Sequence, residues 1–420
     1  MILRNSSKKP IQIDSYKVLS QLGKGGFGTV FHVSDIRNSS KEYALKFLKH
    51  NSNIRRIQKQ LNVLKILNTS ELFLKTYLTK KVLGNLFLLM EYSNDLSIDK
   101  LVKKGTFSES LTCEILLKLL VSLEFLHKNK IIHGDIKAEN ILKKEDSFYL
   151  IDFDVVKTES PSKTIHIQND NDFTAPEIYR GVQTYLSDIY SLGCVIYYML
   201  SAKHIYGFKN ENDFSSKMFS HLYSEPIPDS KISKRMFYLI KRMTDKNYKT
   251  RANLEEIREI LKTKTVFKEI AQSYKSVNID NYPHEFDRYK FMSDDGISYA
   301  QNVFGLIHEE GINVKQDLNK AIELYQLSAD QGLAKAQFNL ALSYKMAKGC
   351  KQNYSKAIEL FTYASNQEHD RSLYHLADMY EKGLGCKIDI NKAILNYKKS
   401  AYNGYKPAYK KLKELENNTL

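Results

Sequence analysis

The chain has 420 residues, of which 42% are hydrophobic, so it is long enough to form more than one hydrophobic core. Its four cysteines show no Cys-x-x-Cys spacing, which argues against a disulfide scaffold or a zinc site, and no apolar run approaches the length of a membrane span. The net charge of +15 comes from dispersed lysines without an arginine-rich arm, so we expect no nucleic-acid partner. Residues 1–9 have no long apolar core, so we expect an intracellular protein of the cytoplasm or nucleus.

The first predicted element is a β-hairpin whose turn is rich in glycine. Apolar residues alternate before the turn, at Tyr16 and Val18, and again after it, at Phe31 and Val33. The turn itself, residues 23–28, has the sequence GKGGFG. Because glycine has no Cβ atom, backbone N–H groups of this turn can approach phosphate oxygens closely. The hairpin is therefore a candidate phosphate-binding loop.

Two further predicted strands each lead to a charged side chain that suits a bound phosphate. Residues 43–46 have the sequence YALK, and Lys46 at the end can reach an anionic ligand held under the glycine turn. Residues 149–151, with the sequence YLI, form a buried type of strand that runs into Asp152. The Asp152 carboxylate is placed to hold Mg²⁺, a hard cation that prefers oxygen ligands.

The most informative segment lies between these strands, at residues 133–140, and has the sequence HGDIKAEN. Its Asp135 and Asn140 are five residues apart on one tight loop, where they can serve a substrate hydroxyl and a metal ion together. Taken singly, an acid on a turn or a Gly-x-Gly-x-x-Gly pattern is more often structural. Four such motifs in this order favour phosphoryl transfer instead.

Together these segments resemble the eukaryotic protein kinase family over residues 14–264. The resemblance implies an α+β fold of two lobes, with a β-rich N-lobe and a helical C-lobe. It also implies an enzyme that uses ATP and Mg²⁺ to transfer the γ-phosphate to protein hydroxyls. Lys137, two residues after Asp135, looks like the lysine of serine/threonine kinases, so serine or threonine is the implied acceptor.

The resemblance assigns roles to single positions. It implies that Asp135 orients the substrate hydroxyl and accepts its proton, while Lys137 steadies the transferred phosphate. Asn140 and Asp152 are the implied Mg²⁺ ligands. The implied nucleotide-binding residues are Gly23, Gly25, Gly28, Val30, Ala44, Lys46, Met90, Glu91 and Tyr92. Within this set the lysine would contact the α- and β-phosphates, the methionine would be the gatekeeper, and the hinge backbone after it would bind adenine.

Three further matches have structural roles in the family. Residues 175–177, with the sequence APE, resemble the end of the activation segment. Residues 187–193 resemble the start of the long buried helix that anchors the catalytic loop. Arg251 matches the arginine that pairs with the glutamate of the first motif, here Glu177. We therefore expect an ion pair between these two side chains.

The helix after the lysine strand departs from the family pattern. In the family a glutamate of this helix pairs with the lysine, but residues 54–65 contain no acid. In the register that turns Leu61 and Leu64 inward, the partner position falls on Gln60. An amide can hydrogen-bond Lys46 but lacks a Coulomb attraction worth roughly a few kcal/mol at close range. We expect such a hydrogen bond if the site closes, and a less firmly held active conformation.

Other departures concern the activation segment. Gly134 replaces an arginine that binds a phosphate in many kinases, so we expect phosphorylation of this segment not to be required. The candidate phosphorylation sites are Thr158, Ser160, Ser162 and Thr164. Asp154 stands in the usual place of a glycine, which removes backbone freedom but leaves Asp152 intact. Asn169 and Asp170 replace a Gly-Thr pair beside the acceptor, so this platform is unusual.

Past residue 290 the chain repeats itself with a period of 36 residues. The segment AIELY at 321–325 returns as AIELF at 357–361 and as AILNY at 393–397. Small residues share two columns, also 36 apart, at Ala300, Ala336, Ser372 and Ala408 and at Gly305, Ala341 and Ala377. Small side chains at fixed positions let two helices approach closely, so the period predicts a helical solenoid.

The pattern resembles Sel-one-like repeats, which are relatives of the tetratricopeptide repeat. Asp317, Asn353 and Asp389 precede each second helix and suit its N-cap. We place three units near residues 298, 334 and 370, followed by a capping helix over 406–420, so that an all-α solenoid spans 293–420 after a linker at 265–292. Arrays of this family usually bind proteins. The alternative is that a short array only packs against the kinase lobe.

Two functions of different classes fit these motifs. The first is a serine/threonine kinase whose solenoid recruits protein substrates or other protein partners. The alternative is a pseudokinase scaffold that binds partners without turnover, because changes such as Gln60 and Asp154 also occur in degraded kinases. The survival of Lys46, Asp135 and Asp152 favours the enzyme. The substrate, the pathway, the partner of the repeats and the oligomeric state are left open by the sequence.

Overall fold

The computed structural model describes residues 12–13, 15–24, 28–48, 54–82, 85–94, 96–153, 157–158, 172–207, 213–262, 281 and 284–417. Its first part is an antiparallel sheet with the strand order β1-β2-β3-β4-β6-β5. The strands are β1 (Gln12–Ile13), β2 (Tyr16–Lys24), β3 (Gly28–Asp35), β4 (Asn38–Leu48), β5 (Thr76–Val82) and β6 (Asn85–Glu91). Phe31, Val33 and Leu45 alternate toward a small core with Phe87 and Leu89, as the period of two predicts.

Helix α1 (Ile54–Leu67) lies between β4 and β5 in the chain. Among the side chains of α1 that the structure describes, those of Gln60, Val63, Leu64 and Leu67 are buried, spaced as one face of a helix. The register predicted from Leu64 is therefore confirmed, and it turns the amide of Gln60 inward with only 8% of the residue exposed.

The second part is mainly helical, with two short two-stranded sheets. Its elements are α2 (Ile98–Val102), α3 (Glu109–Lys128), β7 (Ile131–Ile132), a 3₁₀ turn (Ala138–Asn140), β8 (Ile141–Lys144), β9 (Ser147–Leu150), β10 (Lys157–Thr158), α4 (Pro176–Tyr179), α5 (Tyr185–Ser201), α6 (Phe214–Tyr223), α7 (Lys234–Met243) and α8 (Leu254–Lys262). Helix α5 is buried along nearly its whole length and begins at a capping box formed by Thr184 and Ser187. At Gly193 a Cβ atom would lie 2.8 Å from the Cβ of Met243, so glycine allows α5 and α7 to touch.

The third part is an array of helix pairs, each helix packed on the next. The helices are α9 (Glu285–Asp294), α10 (Ser298–Glu310), α11 (Leu318–Asp330), α12 (Ala334–Met346), α13 (Tyr354–Asn366), α14 (Asp370–Lys382), α15 (Ile390–Tyr402) and α16 (Lys406–Asn417). The predicted N-caps are confirmed, because Asp317, Asn353 and Asp389 each accept a hydrogen bond from the backbone N–H three residues later. The small-residue column from Ala300 to Ala408 is fully buried.

The solenoid packs directly on the helical part through α9 and α10. Phe219 and Tyr223 of α6 contact Phe291 of α9, with ring centroids 5.5 and 5.2 Å apart. The same apolar cluster includes Met292 and Phe304. The solenoid and the helical part therefore share one apolar cluster. The predicted boundary between residues 292 and 293 falls inside α9, so this helix belongs to both segments.

The predicted order, a β-rich lobe followed by a helical lobe and a helical-repeat solenoid, is confirmed. Among the helices of the described ranges, none is both long enough and apolar enough to cross a membrane.

Candidate active site

The loop of residues 133–140 lies between β7 and β8, and helix α5 holds it in place. The Asp188 carboxylate, near the start of α5, accepts hydrogen bonds from the backbone N–H groups of His133 and Gly134, both at 2.9 Å. Asp188 is only 1% exposed. Gly134 has φ +75°, a left-handed conformation that favours glycine. A buried carboxylate and a left-handed turn therefore fix the path of the loop.

Asp135 lies at the centre of this loop between two polar partners. Its Oδ2 is 3.0 Å from Nζ of Lys137 and accepts a 3.0 Å hydrogen bond from Nδ2 of Asn140. The same Nδ2 donates to the backbone oxygen of Asp135 at 2.9 Å. Asp135 is 5% exposed and Asn140 also 5%, whereas the Lys137 side chain is 25% exposed. The carboxylate is thus oriented from two sides.

The two predicted metal ligands lie on neighbouring segments. The backbone N–H of Ile151 donates to the oxygen of Asn140 at 2.9 Å, which places Asp152 next to the end of the loop. Asp152 has φ +67°, a conformation that costs a residue other than glycine on the order of 1–3 kcal/mol. Such strained residues cluster at functional sites. The loop and the strand end therefore place Asn140 and Asp152 on adjacent stretches of backbone.

Lys46 reaches the same place from the sheet. Its Nζ donates to Oδ1 of Asp152 at 2.7 Å, across 106 residues of sequence. The Lys46 side chain is only 9% exposed, whereas the Asp152 side chain is 36% exposed. The ion pair therefore joins the sheet of the first part to the chain just after β9 in the second part.

The Phe153 side chain packs against aromatic rings of both the loop and the buried core. Its ring lies 4.8 Å from the His133 ring and 5.7 Å from the Phe73 ring, measured between centroids. Leu64 of α1 belongs to the same buried cluster. Phe153 is therefore packed into the core together with Leu64 of α1.

The residues present suit a bound Mg²⁺ ion. Asn140 Nδ2 donates to two oxygen acceptors of Asp135, so the amide nitrogen must face them and the amide oxygen lies on the opposite side. Amide and carboxylate oxygens are hard donors of the kind that Mg²⁺ prefers. Within the described ranges no group of three His, Cys, Asp or Glu side chains is clustered as a metal site. Two protein ligands plus phosphate oxygens and water is the usual arrangement for this ion.

The predicted nucleotide residues line adjacent strands. Val30 is paired with Lys46, and Ala44 is paired with Met90, so β3, β4 and β6 present them in neighbouring positions. Gly23 is paired with Val30, and Gly28 with Leu48. Gly25 lies outside the described residues.

The connection after β6 is tied to both lobes. Tyr92 stacks on His32 of β3, with ring centroids 3.8 Å apart, and the Glu91 carboxylate pairs with Lys144 of β8. Burial raises the pKa of Glu91, but the hydrogen bonds from Lys144 and from the Lys75 backbone hold it below its usual value. Glu91 is therefore an ionised tether across the predicted hinge.

Comparison with known proteins identifies the arrangement. A family profile described as "Protein kinase domain" matches residues 16–264, which is more than half of the chain. The chain belongs to the protein kinase family. A second profile, "Sel1 repeat", matches residues 298–333, 334–369 and 370–405. The kinase domain is thus followed by three Sel1 repeats, and each repeat begins at the first residue of α10, α12 or α14.

Several curated relatives are serine/threonine kinases by name. Serine/threonine-protein kinase ppk11 of Schizosaccharomyces pombe is 31% identical over 254 residues, which cover 57% of this chain and 78% of that protein. Calcium-dependent protein kinase 4 of Plasmodium berghei (strain Anka) is 29% identical over 256 residues, covering 58% and 48%. Probable serine/threonine-protein kinase zyg-1 of Caenorhabditis elegans is 27% identical over 207 residues, covering 48% and 29%. The chain spans half or less of the length of the last two relatives.

The expected pair behind the activation segment of this kinase domain is present. Arg251 Nη1 and Nη2 donate to the two carboxylate oxygens of Glu177 at 2.7 and 2.8 Å, and Ser187 Oγ donates to the same carboxylate at 2.7 Å. The side chains of Arg251 and Glu177 are only 0% and 2% exposed. This prediction is confirmed.

Sequence reasoning did not find the polar contacts that hold the segment before Glu177. Asp172 pairs with Lys217 of α6 and with His204, and neither side chain belongs to a recognisable local motif. The hinge pair of Glu91 and Lys144 was missed for the same reason. The departures at Asp154, Asn169 and Asp170, and the sites Ser160, Ser162 and Thr164, lie outside the described residues. The hydrogen bond between Gln60 and Lys46 stays a prediction.

Proposed function

We propose that this chain is an active serine/threonine protein kinase that transfers the γ-phosphate of ATP to protein hydroxyl groups. The observation that carries the proposal is the pairing of Asp135 with Lys137 and Asn140, within a loop whose end adjoins Asp152. The name of the relative that matches most of its own length, a serine/threonine-protein kinase, supports this acceptor class.

The geometry supports a role for each of these residues. Asp135 is a buried carboxylate with one oxygen fixed by Lys137 and Asn140, so it orients the incoming hydroxyl and takes its proton as transfer proceeds. Lys137 is partly exposed and cationic, which suits it to stabilise the transferred phosphoryl group. Asn140 and Asp152 would hold Mg²⁺, which neutralises charge on the phosphates when it is bound.

Lys46 prepares the site for the nucleotide. Its ammonium group is buried against Asp152, so it keeps a cation at the back of the cleft. Phosphate oxygens entering the cleft compete with Asp152 for this ammonium, which leaves the carboxylate available to a metal ion. Val30, Ala44 and Met90 line the strands beside it, as an adenine pocket requires.

We further propose that the catalytic unit is residues 14–264 and that the repeats bind protein substrates or other protein partners. The support for the second part is the match to three Sel1 repeats, an architecture that usually presents a protein-binding surface. The described cysteines Cys113, Cys194, Cys350 and Cys386 are free thiols, which fits a reducing intracellular compartment.

Phosphate transfer from labelled ATP tests the proposal. Purified chain and a mixed serine/threonine peptide library are incubated with Mg²⁺, and Asp135→Asn is compared with Asp146→Asn, the same change on the exposed turn between β8 and β9. Loss of the general base should lower incorporation on the order of 10²–10⁴-fold. The Asp146→Asn control should match the unaltered chain. Equal incorporation by Asp135→Asn and the control would refute the enzyme.

The second candidate is a pseudokinase scaffold, favoured by the buried amide of Gln60 where the family has a glutamate. It predicts that the unaltered chain transfers no label, although ATP still raises its melting temperature. Incorporation above that of Asp135→Asn excludes this candidate. The two functions therefore give opposite results in one assay.

A further inference from the structure

The segment just before Glu177 is held by a buried ion pair from α6. Asp172 Oδ1 lies 2.7 Å from Lys217 Nζ, and the other carboxylate oxygen lies 3.2 Å from Nε2 of His204. The Lys217 side chain is only 7% exposed and that of Asp172 17%. Removing one charge from a buried pair leaves the other uncompensated, so such a pair resists separation. Asp172 is therefore fixed relative to α6.

The residues that follow Asp172 are fixed as well. Phe173, Thr174 and Ala175 are buried, and the Phe173 carbonyl accepts a 2.7 Å hydrogen bond from Ser191 of α5. In the protein kinase family this stretch lies beside the residue that receives the phosphate. Here α5 and α6 hold it from two sides, α5 through the Ser191 hydroxyl and α6 through the Lys217 ammonium group.

The solenoid in turn holds α6. Asp213 caps the N-terminus of α6 by accepting from the Ser216 N–H, and it also accepts from Arg288 of α9 at 2.5 Å. The Arg288 guanidinium donates to Ser215 at 2.8 Å as well, and Arg288 is only 4% exposed. With the aromatic contacts of Phe219 to α9, the first two turns and the apolar face of α6 are clamped from the repeat side.

One continuous series of contacts thus runs from α9 to the segment beside the acceptor. Arg288 contacts the N-cap and first turn of α6, and Lys217, in the same turn, forms an ion pair with Asp172. At Gly134 the catalytic loop has no side chain with which to bind a phosphate on this segment. An internal ion pair supplies the fixed position that a phosphate would otherwise supply.

From this geometry we infer that Lys217 is a positioning residue for the phosphoryl acceptor, and that docking of the solenoid on α6 sets its position. The inference rests on the proposed function. It makes the repeats a permanent part of the acceptor-binding face, and it predicts activity without phosphorylation of the activation segment.

Lys217→Met tests the inference, with Lys217→Arg as the conservative variant and Lys234→Met, an exposed lysine of α7, as the control. Amide hydrogen exchange of residues 172–177 should speed up in Lys217→Met, whereas exchange of residues 133–140 stays unchanged. The KM for an acceptor peptide should rise on the order of tenfold while the KM for ATP moves less than about twofold. In Lys217→Arg the exchange rate and the peptide KM should both lie close to those of the unaltered chain. In Arg288→Met both should rise, but less than in Lys217→Met.

A buried charge left alone could unfold Lys217→Met, so the double variant Asp172→Asn with Lys217→Met is measured as well. It strands no charge, and the same faster exchange at residues 172–177 is expected. If the wild type is active and both variants that carry Lys217→Met show the same exchange and peptide KM as Lys234→Met, the positioning role is overturned while the proposed function stands. A wild type that transfers no phosphate would overturn the proposed function and, with it, the positioning role.

Discussion

The kinase domain and the Sel1 repeats are built from contacts of very different range. In the kinase domain the site joins distant residues, because Lys46 and Asp152 are 106 residues apart and Glu177 and Arg251 are 74 apart. In the repeats each helix packs on its neighbour, and the same polar contact recurs within successive units, as Gln331 to Gln301 and Gln367 to Gln337. A change in the first region should therefore spread to the site, whereas a change in the second should stay within one unit.

The repeats also vary in a correlated way within each unit. Tyr325 donates to Glu309 and Tyr397 donates to Glu381, which are equivalent pairs 72 residues apart. In the middle unit the same two positions hold Phe361 and Lys345, and the lysine pairs with Asp378 of the next unit instead. Tyrosine is present where the facing side chain can accept a hydrogen bond from its hydroxyl group, and absent where the facing side chain cannot.

The largest effect is expected at the long-range pair behind the activation segment. Arg251→Met leaves Glu177 buried without its cation, so the kinase domain should lose about 3–5 kcal/mol of unfolding free energy, measured by urea titration. The control is Arg258→Met, which breaks an ion pair to Glu124 whose two side chains are 29% and 34% exposed. That change should cost about 0–1 kcal/mol. Similar losses in both variants would contradict the distinction.

How much of this was predictable depends on the range of each contact. The N-caps at Asp317, Asn353 and Asp389 depend on residues three apart, so the 36-residue period placed them correctly. The active-site loop was predictable because each motif is local and the family fixes how the motifs meet. The pair of Lys217 and Asp172 was not, because its partners are 45 residues apart and neither belongs to a pattern. The docking of α6 on α9 depends on surface shape, which no short spacing records.

Acid should weaken the third repeat selectively. Burial between Phe338 and Phe361 lowers the pKa of His375 to about 4, from an ordinary value of 6.5. Below pH 6.5 the unfolded chain therefore takes up a proton before the folded chain does. Stability contributed by the neutral ring is complete above pH 6.5 and falls as the pH drops toward 4.

Between pH 7 and pH 5 we expect the repeats to lose about 1–2 kcal/mol through this histidine. The measurement is urea unfolding at both values, with His375→Phe compared with His284→Phe, a change at an exposed position. His375→Phe should flatten the pH dependence, and His284→Phe should leave it as in the unaltered chain. The equivalent positions in the other units hold Asn339 and Val303, which do not titrate, so the effect should stay in one unit. An unchanged slope in His375→Phe would place the sensitivity elsewhere.

In the kinase domain a smaller change should strengthen the site. Gln60→Glu on α1 introduces a buried carboxylate that competes with Asp152 for Lys46, so Asp152 becomes more available to Mg²⁺. At limiting Mg²⁺ the kcat/KM for ATP should rise about tenfold, or about 1.4 kcal/mol. Gln58→Glu, on the exposed side of the same helix, should have no such effect. Equal rates in the two variants would mean that α1 does not contact Lys46 in the working enzyme.

The smallest expected effect concerns the phenol and carboxylate pairs of the repeats. Tyr325→Phe removes a 2.5 Å hydrogen bond to Glu309, but the carboxylate keeps its ion pair with Lys348. The cost should be about 1 kcal/mol by urea unfolding, and Tyr397→Phe should match it.

Tyr363→Phe is the matched control, because its phenol also donates to a glutamate, Glu359, but on an exposed surface. Water replaces that bond, so its loss should be within about 0.3 kcal/mol of zero. If Tyr325→Phe is also neutral, the correlated change to Phe361 and Lys345 in the middle unit reflects packing rather than hydrogen bonding. If Tyr325→Phe instead lowers phosphate transfer strongly, this repeat is coupled to the distant active site, and the contrast between the two regions fails.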